Sequence, residues 1–401
     1  SMTEQGRHRK EARDSREVKT HSTLPLFDCY KAPCKDGGCP IQQQIPEYVN
    51  LVDRGEYEKA FGIIAIDNAL PSATGTLCDH NCQNKCTRNH YEDPVQIRRA
   101  KLTAAEKAQE AYIKASRPCV LKTKKRAVVI GAGPAGIAVS LFLRRNGMDV
   151  TVLEKRAEPF GIVNYVIPGF RIPKSATERD YRMAVAAGVD FRFGVAHDYD
   201  LKALQTEYDY VVLATGAWKE GLCPVKEGGE RLVDALQFLR ESKKQNCALD
   251  LGKRVAVIGA GDVAMDCARA ARRASGAPEV TIVYRRTREF MPAMPEEIRL
   301  ALEDGVQLCE LLAPASYDGK KLRCEVQELT DERDASGRRM MQGTGRMEEM
   351  TFDTVIGAVG ARVDTDAFEK NGIQLNRWNM PVVSNENESS IQNVYIAGDC
   401  K

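Results

Sequence analysis

The pattern of apolar positions changes texture twice along the chain. Residues 1–22 are charged and show no apolar period; they read as a flexible tail, and the opening Ser1-Met2 as an expression scar. In residues 23–118 apolar positions recur at i, i+3, i+4 spacing over Ile45–Arg54 and Tyr57–Ile66, and Ala100–Ala115 is rich in Ala, Glu, Lys and Gln. That spacing and composition predict helices. From Arg126 the texture becomes short, uninterrupted apolar runs, the signature of strands buried on both faces. Ala127–Ile130 leads into Gly131-Ala132-Gly133-Pro134-Ala135-Gly136, a helix to about Asn146, and a strand Val150–Leu153 ending at Glu154. The order returns as Arg254–Ile258, Gly259-Ala260-Gly261-Asp262-Val263-Ala264, a helix to about Ala274, and Val280–Tyr284. Tyr210–Leu213, Thr354–Ile356 and Val394–Ile396 are further short strands running into glycine-containing turns.

The fold class is therefore α/β: two nested doubly wound dinucleotide-binding domains preceded by a small all-α domain. The expected division is a helical domain over 23–118, a discontinuous domain over 119–248 and 355–401, and an inserted domain over 249–354. The helical part is thinly apolar and needs help to be stable.

The two glycine turns have opposite partners. The first glycine of such a motif permits a tight turn, the second lets backbone N–H groups approach a pyrophosphate, and the third allows close helix–strand contact. Gly131, Gly133, Pro134, Ala135 and Gly136 are followed at the next strand end by Glu154-Lys155. A carboxylate there accepts from ribose hydroxyls, which suits FAD or NAD. Gly259, Ala260, Gly261, Asp262 and Val263 are followed by Tyr284-Arg285-Arg286. Guanidinium groups bind a 2′-phosphate bidentately, which suits NADPH; the bland alternative is an arginine pair pointing at water. Gly398 and Asp399, after the last strand, are placed to bind a polyol such as ribityl, and the turns at Thr215-Gly216 and Ala358-Val359-Gly360 read both as crossovers between the nested domains and as candidate cofactor-binding residues.

Charge adds little: the 401 residues carry a net +2, with 43% hydrophobic and 28% charged content. There is no export signal and no apolar run long enough to span a membrane, so a cytoplasmic protein is expected, with no nucleic acid or membrane partner. Cysteine adds much. Six of the 13 fall within Cys29–Cys86, as Cys29-x4-Cys34-x4-Cys39-Pro40 and Cys78-x3-Cys82-x3-Cys86. In a reducing compartment such thiolates favour iron–sulfur, with zinc or no metal as the alternatives. Two [4Fe–4S] clusters need eight ligands, so one or two are expected, with Asp79, His80 and Gln96 as candidate non-cysteine ligands. Cys223, Cys247, Cys267, Cys309 and Cys324 read as core residues.

On these residues the chain resembles the two-dinucleotide flavoproteins of the glutamate synthase small subunit and the N-terminal half of dihydropyrimidine dehydrogenase. The likeness runs from about Pro25 to the end, through Cys34…Cys39-Pro40, Gly131–Gly136, Ile167-Pro168-Gly169-Phe170-Arg171-Ile172-Pro173, Ala264-Met265-Asp266-Cys267 and Ala397-Gly398-Asp399. Asp28-Cys29-Tyr30, Ile45-Pro46-Glu47-Tyr48, Asn68-Ala69-Leu70-Pro71 and Cys78-Asp79-His80 are similar to bacterial selenate reductase flavoprotein subunits, in which this region is the middle of a longer chain. The resemblance implies an iron–sulfur helical domain, with Gly161, Ile162, Val163 and Arg171 lining FAD. Relatives often carry a further Cys where this chain has Leu26, and a Gln ligand of one relative falls near Lys101. The implied function is electron input: hydride from NADPH to FAD, then single electrons through [4Fe–4S] to a partner subunit or domain. No side chain is expected to act as a catalytic acid, base or nucleophile. The alternative is a non-catalytic docking scaffold for a larger redox enzyme. Lys401 follows Asp399 closely, so the covering helix expected after it is absent from the sequence, and weak FAD retention is expected.

Overall fold

A computed structural model describes residues 32–90, 92–195, 198–221, 223–334 and 337–401. Helices α1 (Ile45–Asp53), α2 (Tyr57–Asp67), α3 (Pro71–Leu77), the short α4 (Asn81–Asn84) and α5 (Ile97–Ala115) build the N-terminal segment. Pro46 and Pro71 stand in the first turns of α1 and α3, where a missing N–H leaves no bond unmade. The predicted stripes form a small core: Ile45, Tyr48, Ala60, Ile64, Ile97 and Ala104 are buried together with Cys82.

β1 (Arg126–Ile130), α6 (Pro134–Arg145) and β2 (Asp149–Glu154) make the first β-α-β unit, followed by α7 (Ile162–Tyr165), α8 (Lys174–Ala186), β3 (Asp190–Phe193), α9 (Leu201–Glu207) and β4 (Tyr210–Leu213). The sheet runs Val394–Ile396, β4, β1, β2, β3, and β4 to β3 are parallel. Next come β5 (Ala217–Glu220), β6 (Val233–Asp234), α10 (Ala235–Lys244), β7 (Arg254–Ile258), α11 (Asp262–Arg272), β8 (Glu279–Val283), α12 (Pro295–Glu303) and β9 (Gln307–Cys309). They are followed by β10 (Leu312–Tyr317), β11 (Lys321–Arg333), β12 (Arg339–Thr351), β13 (Thr354–Gly357), β14 (Ala361–Val363) and α13 (Asp366–Lys370). The second parallel sheet has the order β6, β13, β7, β8, β9. With β1 matched to β7, the two sheets share one strand order, but the fifth place is filled by the last strand of the first sheet and the first strand of the second. β10, β11 and β12 form a separate antiparallel sheet, which no sequence pattern announced.

Two compact units result. One holds the described part of 1–160 with 171–214 and 393–395; the other holds 161–170, 215–392 and 396–401. This moves the expected boundaries. Val233–Lys244 lies with the second sheet because β6 pairs with β13, and Thr354–Gly357 is an inner strand of that sheet, paired with β7. The glycine turns marked strand ends correctly but carried no information about which sheet each strand joins. The helical segment is not set apart either. Asp180 of α8 accepts from the Ser72 and Ala73 N–H groups at the start of α3, at 3.0 and 2.7 Å, and from Gln109 Nε2 of α5 at 2.7 Å. This buried side chain ties α3 and α5 to α8. Among the described residues no helix is long and apolar enough to cross a membrane.

Candidate cofactor sites

The first glycine turn shows which of its glycines serve the fold. A Cβ on Gly136 would stand 1.9 Å from the Gly131 carbonyl oxygen, whereas one on Gly133 would meet nothing within 4 Å. Gly136 is therefore fixed by helix–strand packing. Gly133, Pro134 and Ala135 leave the start of α6 open, and an entering diphosphate would use that space. Glu154 is buried; its Oε2 accepts the Ala132 N–H at 2.7 Å and its Oε1 the Arg156 N–H at 2.8 Å. The carboxylate is thus anchored to the turn itself, and its remaining lone pairs are the ones a ribose would use. Lys155 beside it is exposed. Phe160, fully buried with φ 73, donates its N–H to the Ala132 carbonyl at 2.7 Å. A buried phenylalanine in the left-handed region is strained, and the strain sits where the chain after β2 returns to the turn.

The other residues expected around FAD are distributed between the units. Arg171 lies in the first, half-buried; Gly161, Ile162, Val163, Thr215, Gly216, Gly398 and Asp399 lie in the second. Within the second unit, Lys243 Nζ of α10 donates to the carbonyls of Val163 and Ile167 at 2.9 and 2.5 Å. The Arg269 and Arg273 guanidiniums lie over the Phe170 ring at 4.9 and 4.4 Å from its centre.

The second glycine turn opens on a cavity of about 670 Å³. Gly259 is required by the fold, since a Cβ there would stand 2.1 Å from the Ala358 carbonyl, while Gly261 faces open space. Gly259, Ala260, Gly261, Asp262 and Val263 form one wall, Ala358, Val359 and Gly360 another, and Arg285 and Arg286 close the end beyond β8. The turn at Ala358–Gly360, expected both as a crossover and as a cofactor-binding candidate, is a wall of this cavity, because β13 runs beside β7. Arg285 is exposed. Arg286 is buried, and its Nη2 donates to Asp334 Oδ2 at 2.9 Å while its Nε has no hydrogen-bond partner among the described residues. An unsatisfied buried guanidinium donor is costly, and an anionic oxygen would satisfy it. Pro224, Pro292, Pro314 and Arg338 complete the lining; none was marked by a motif.

Among the described cysteines, Cys39, Cys78 and Cys82 line one cavity of about 220 Å³, with Asp79, His80, Gln43 and Lys101 also on its wall. Cys34 packs against the same core. The Tyr48 hydroxyl is raised above its ordinary value by burial and then by the Cys82, Cys39, Cys34 and Cys78 thiols around it. Burial and Cys78 push the Cys82 thiol up to about 11, against the pull of the Lys101 ammonium. Among the described residues no three Cys, His, Asp or Glu side chains converge closely enough to hold a single metal ion. The thiols instead surround a space, as a cluster with one iron per thiolate requires. Gln43 is buried on that wall, and its Nε2 has no partner among the described residues; a cluster sulfur would accept from it. Cys86 and Gln96 are not on the cavity wall, and Cys29 falls outside the described residues.

With this geometry in hand, known proteins place the chain. The family model described as pyridine nucleotide-disulphide oxidoreductase matches residues 125–401. The chain belongs to that family. A second model, dihydropyrimidine dehydrogenase domain II, 4Fe-4S cluster, matches residues 10–113. The glutamate synthase [NADPH] small chain of Azospirillum brasilense is 31% identical, over 90% of this chain and 80% of its own length, so the chain also shares that protein's family. The oxidoreductase YgfK of Escherichia coli (strain K12) is 39% identical over 95% of this chain and 37% of its own. The NADPH-Fe(3+) oxidoreductase subunit beta of Geobacter sulfurreducens (strain ATCC 51573 / DSM 12127 / PCA) is 33% identical over 89% and 55%. The chain thus spans about a third to a half of these two relatives. The solved structure of Mycobacterium tuberculosis FprA in complex with NADPH shares the fold, with a TM-score of 0.57, 20% identity, and coverage of 70% of this chain and 79% of that one. This pyridine nucleotide oxidoreductase takes FAD and NADP as nucleotide cofactors and carries a 4Fe-4S domain. Cys267, on α11, is fully buried, and burial holds its thiol well above the ordinary value. Cys324 is likewise a buried core residue, whereas Cys223, Cys247 and Cys309 are only half-buried.

Proposed function

We propose that the chain takes electrons from NADPH and delivers them one at a time to a redox partner, subunit or domain, in the cytoplasm. In this reading the β1–α6 turn with Glu154 binds the adenosine diphosphate of FAD. The β7–α11 turn with Arg285 and Arg286 binds NADPH, and Cys39, Cys78 and Cys82 hold a [4Fe–4S] cluster. The flavin, when bound, supplies the chemistry that links a two-electron hydride donor to one-electron acceptors. The protein's own residues do the binding and aiming. The amides at the start of α6 and α11 face the diphosphates. Glu154, held by the Ala132 and Arg156 amides, selects a ribose with free hydroxyls, and the guanidiniums beyond β8 select a 2′-phosphate. The observation that carries this reading is that one chain pairs an anchored carboxylate at the first turn with an arginine-closed cavity of about 670 Å³ at the second. No disulfide joins any of the described cysteines, in keeping with a reducing compartment.

The direct test is anaerobic reduction of a viologen dye. NADPH should support it well and NADH poorly. No reduction by either nucleotide, with flavin and iron present in the preparation, would favour a docking scaffold over an electron-input module.

A further inference from the structure

Arg338 lies far from both glycine turns in sequence, as the last residue of the connection between β11 and β12, outside the parallel sheet. Yet it lines the same cavity as Gly259–Val263, Arg285 and Arg286. Asp334 brings it there. One oxygen of that carboxylate, Oδ2, accepts from Arg286 Nη2 at 2.9 Å and stands 3.8 Å from Arg338 Nε. The other, Oδ1, accepts the Arg338 N–H at 3.1 Å, and the Asp334 N–H donates to the Arg338 carbonyl at 2.8 Å. The carboxylate therefore holds the Arg338 backbone and sets the mutual placement of two guanidiniums. We infer that Arg338 is a third arginine of the 2′-phosphate pocket, a specificity-determining residue contributed by the antiparallel sheet. This deepens the NADPH reading above and rests on it.

The charge count fits. Arg285, Arg286 and Arg338 contribute three positive charges and Asp334 one negative, leaving two positive charges for a phosphate dianion. The division of labour is physical. Arg286 is buried and already committed to Asp334, so it can spare only its remaining N–H groups. Arg338 lines the cavity with its side chain 38% exposed, so its guanidinium can meet a ligand there, and guanidinium–phosphate bonds are charge-assisted. Asp334 is a positioning residue, because it acts through the arginines.

The test is calorimetric titration of the full chain with adenosine 2′,5′-bisphosphate and with 5′-AMP. The unaltered protein should bind the bisphosphate more tightly. R338A should weaken the bisphosphate roughly tenfold or more and leave 5′-AMP unchanged, and R338K should recover part of the loss. Unchanged bisphosphate binding in R338A, or equal loss of both ligands, would overturn the role of Arg338. R285A separates this from the parent reading. If R285A weakens the bisphosphate and R338A does not, only the third arginine is lost. If the unaltered protein fails to distinguish the two ligands, the phosphate pocket itself is refuted, and Arg338 with it.

Discussion

Arg285 and Arg286 are neighbours in sequence with different employment. Arg286 turns inward to Asp334, and Arg285 stays exposed at the cavity mouth. Removing Arg285 should therefore cost binding without disturbing packing: R285A is expected to raise the KM for NADPH roughly tenfold and leave that for NADH unchanged, as steady-state kinetics with both nucleotides would show. R286A removes a buried partner of Asp334 as well, so a loss of thermal stability should accompany its loss of NADPH selectivity. At the other cavity, Cys82 is buried between Cys78, Cys39 and Tyr48. C82S should abolish the broad iron–sulfur absorbance and leave the flavin bands; a visible spectrum identical to that of the parent protein would remove Cys82 from the ligand set. These residues were legible in sequence because their chemistry is local: a spacing of thiols, or a charge at a strand end. Arg338, Asp334 and Gln43 were not, because what brings them to the cavities is pairing and packing across long separations.

Elements fail or hold through single close contacts. Gly136 has no room for a methyl group against the Gly131 carbonyl, so G136A must push α6 off β1. A destabilisation of about 3 kcal/mol or more is expected in denaturant titrations, whereas G133A, facing open space, should fold normally and lose FAD. Asp180 joins α3, α5 and α8, and its burial raises the carboxyl from 3.8 to about 6. A folded value above the unfolded one favours the protonated carboxyl in the native state. The resulting stability is fully present below about pH 4 and is lost as pH rises towards 6, on the order of 3 kcal/mol in all. D180N should flatten that slope in melting curves taken between these values. The helices α1, α2 and α5 and the first strands were read within a few residues, since an apolar stripe or run is a local signal. β12 was missed because its outward side chains are almost all exposed and it carries no buried alternation; its strand state comes from pairing with β11.

At the scale of the whole molecule, the cysteine cavity and the nucleotide cavity lie in different compact units. Stripping iron from the protein should accordingly raise hydrogen exchange across residues 32–115, where the cluster would hold the thin helical core together. It should leave the affinity for NADP unchanged by calorimetry; a parallel loss of NADP binding would contradict independent sites. The sequence alone determined that there are two glycine turns with opposite partners behind a cysteine-rich helical lead. Each of the two turns, with its partner at the next strand end, is written within about thirty residues of chain, the reach of a single β-α-β unit. Only the tertiary structure decided that Val233–Lys244 and Thr354–Gly357 belong to the second sheet, that Ala358–Gly360 lines the cavity of the second glycine turn rather than the first, and that Asp334 carries Arg338 to the arginine pair. Sheet membership and cavity walls depend on which strands pair across more than a hundred residues, and no local pattern of side chains encodes that choice.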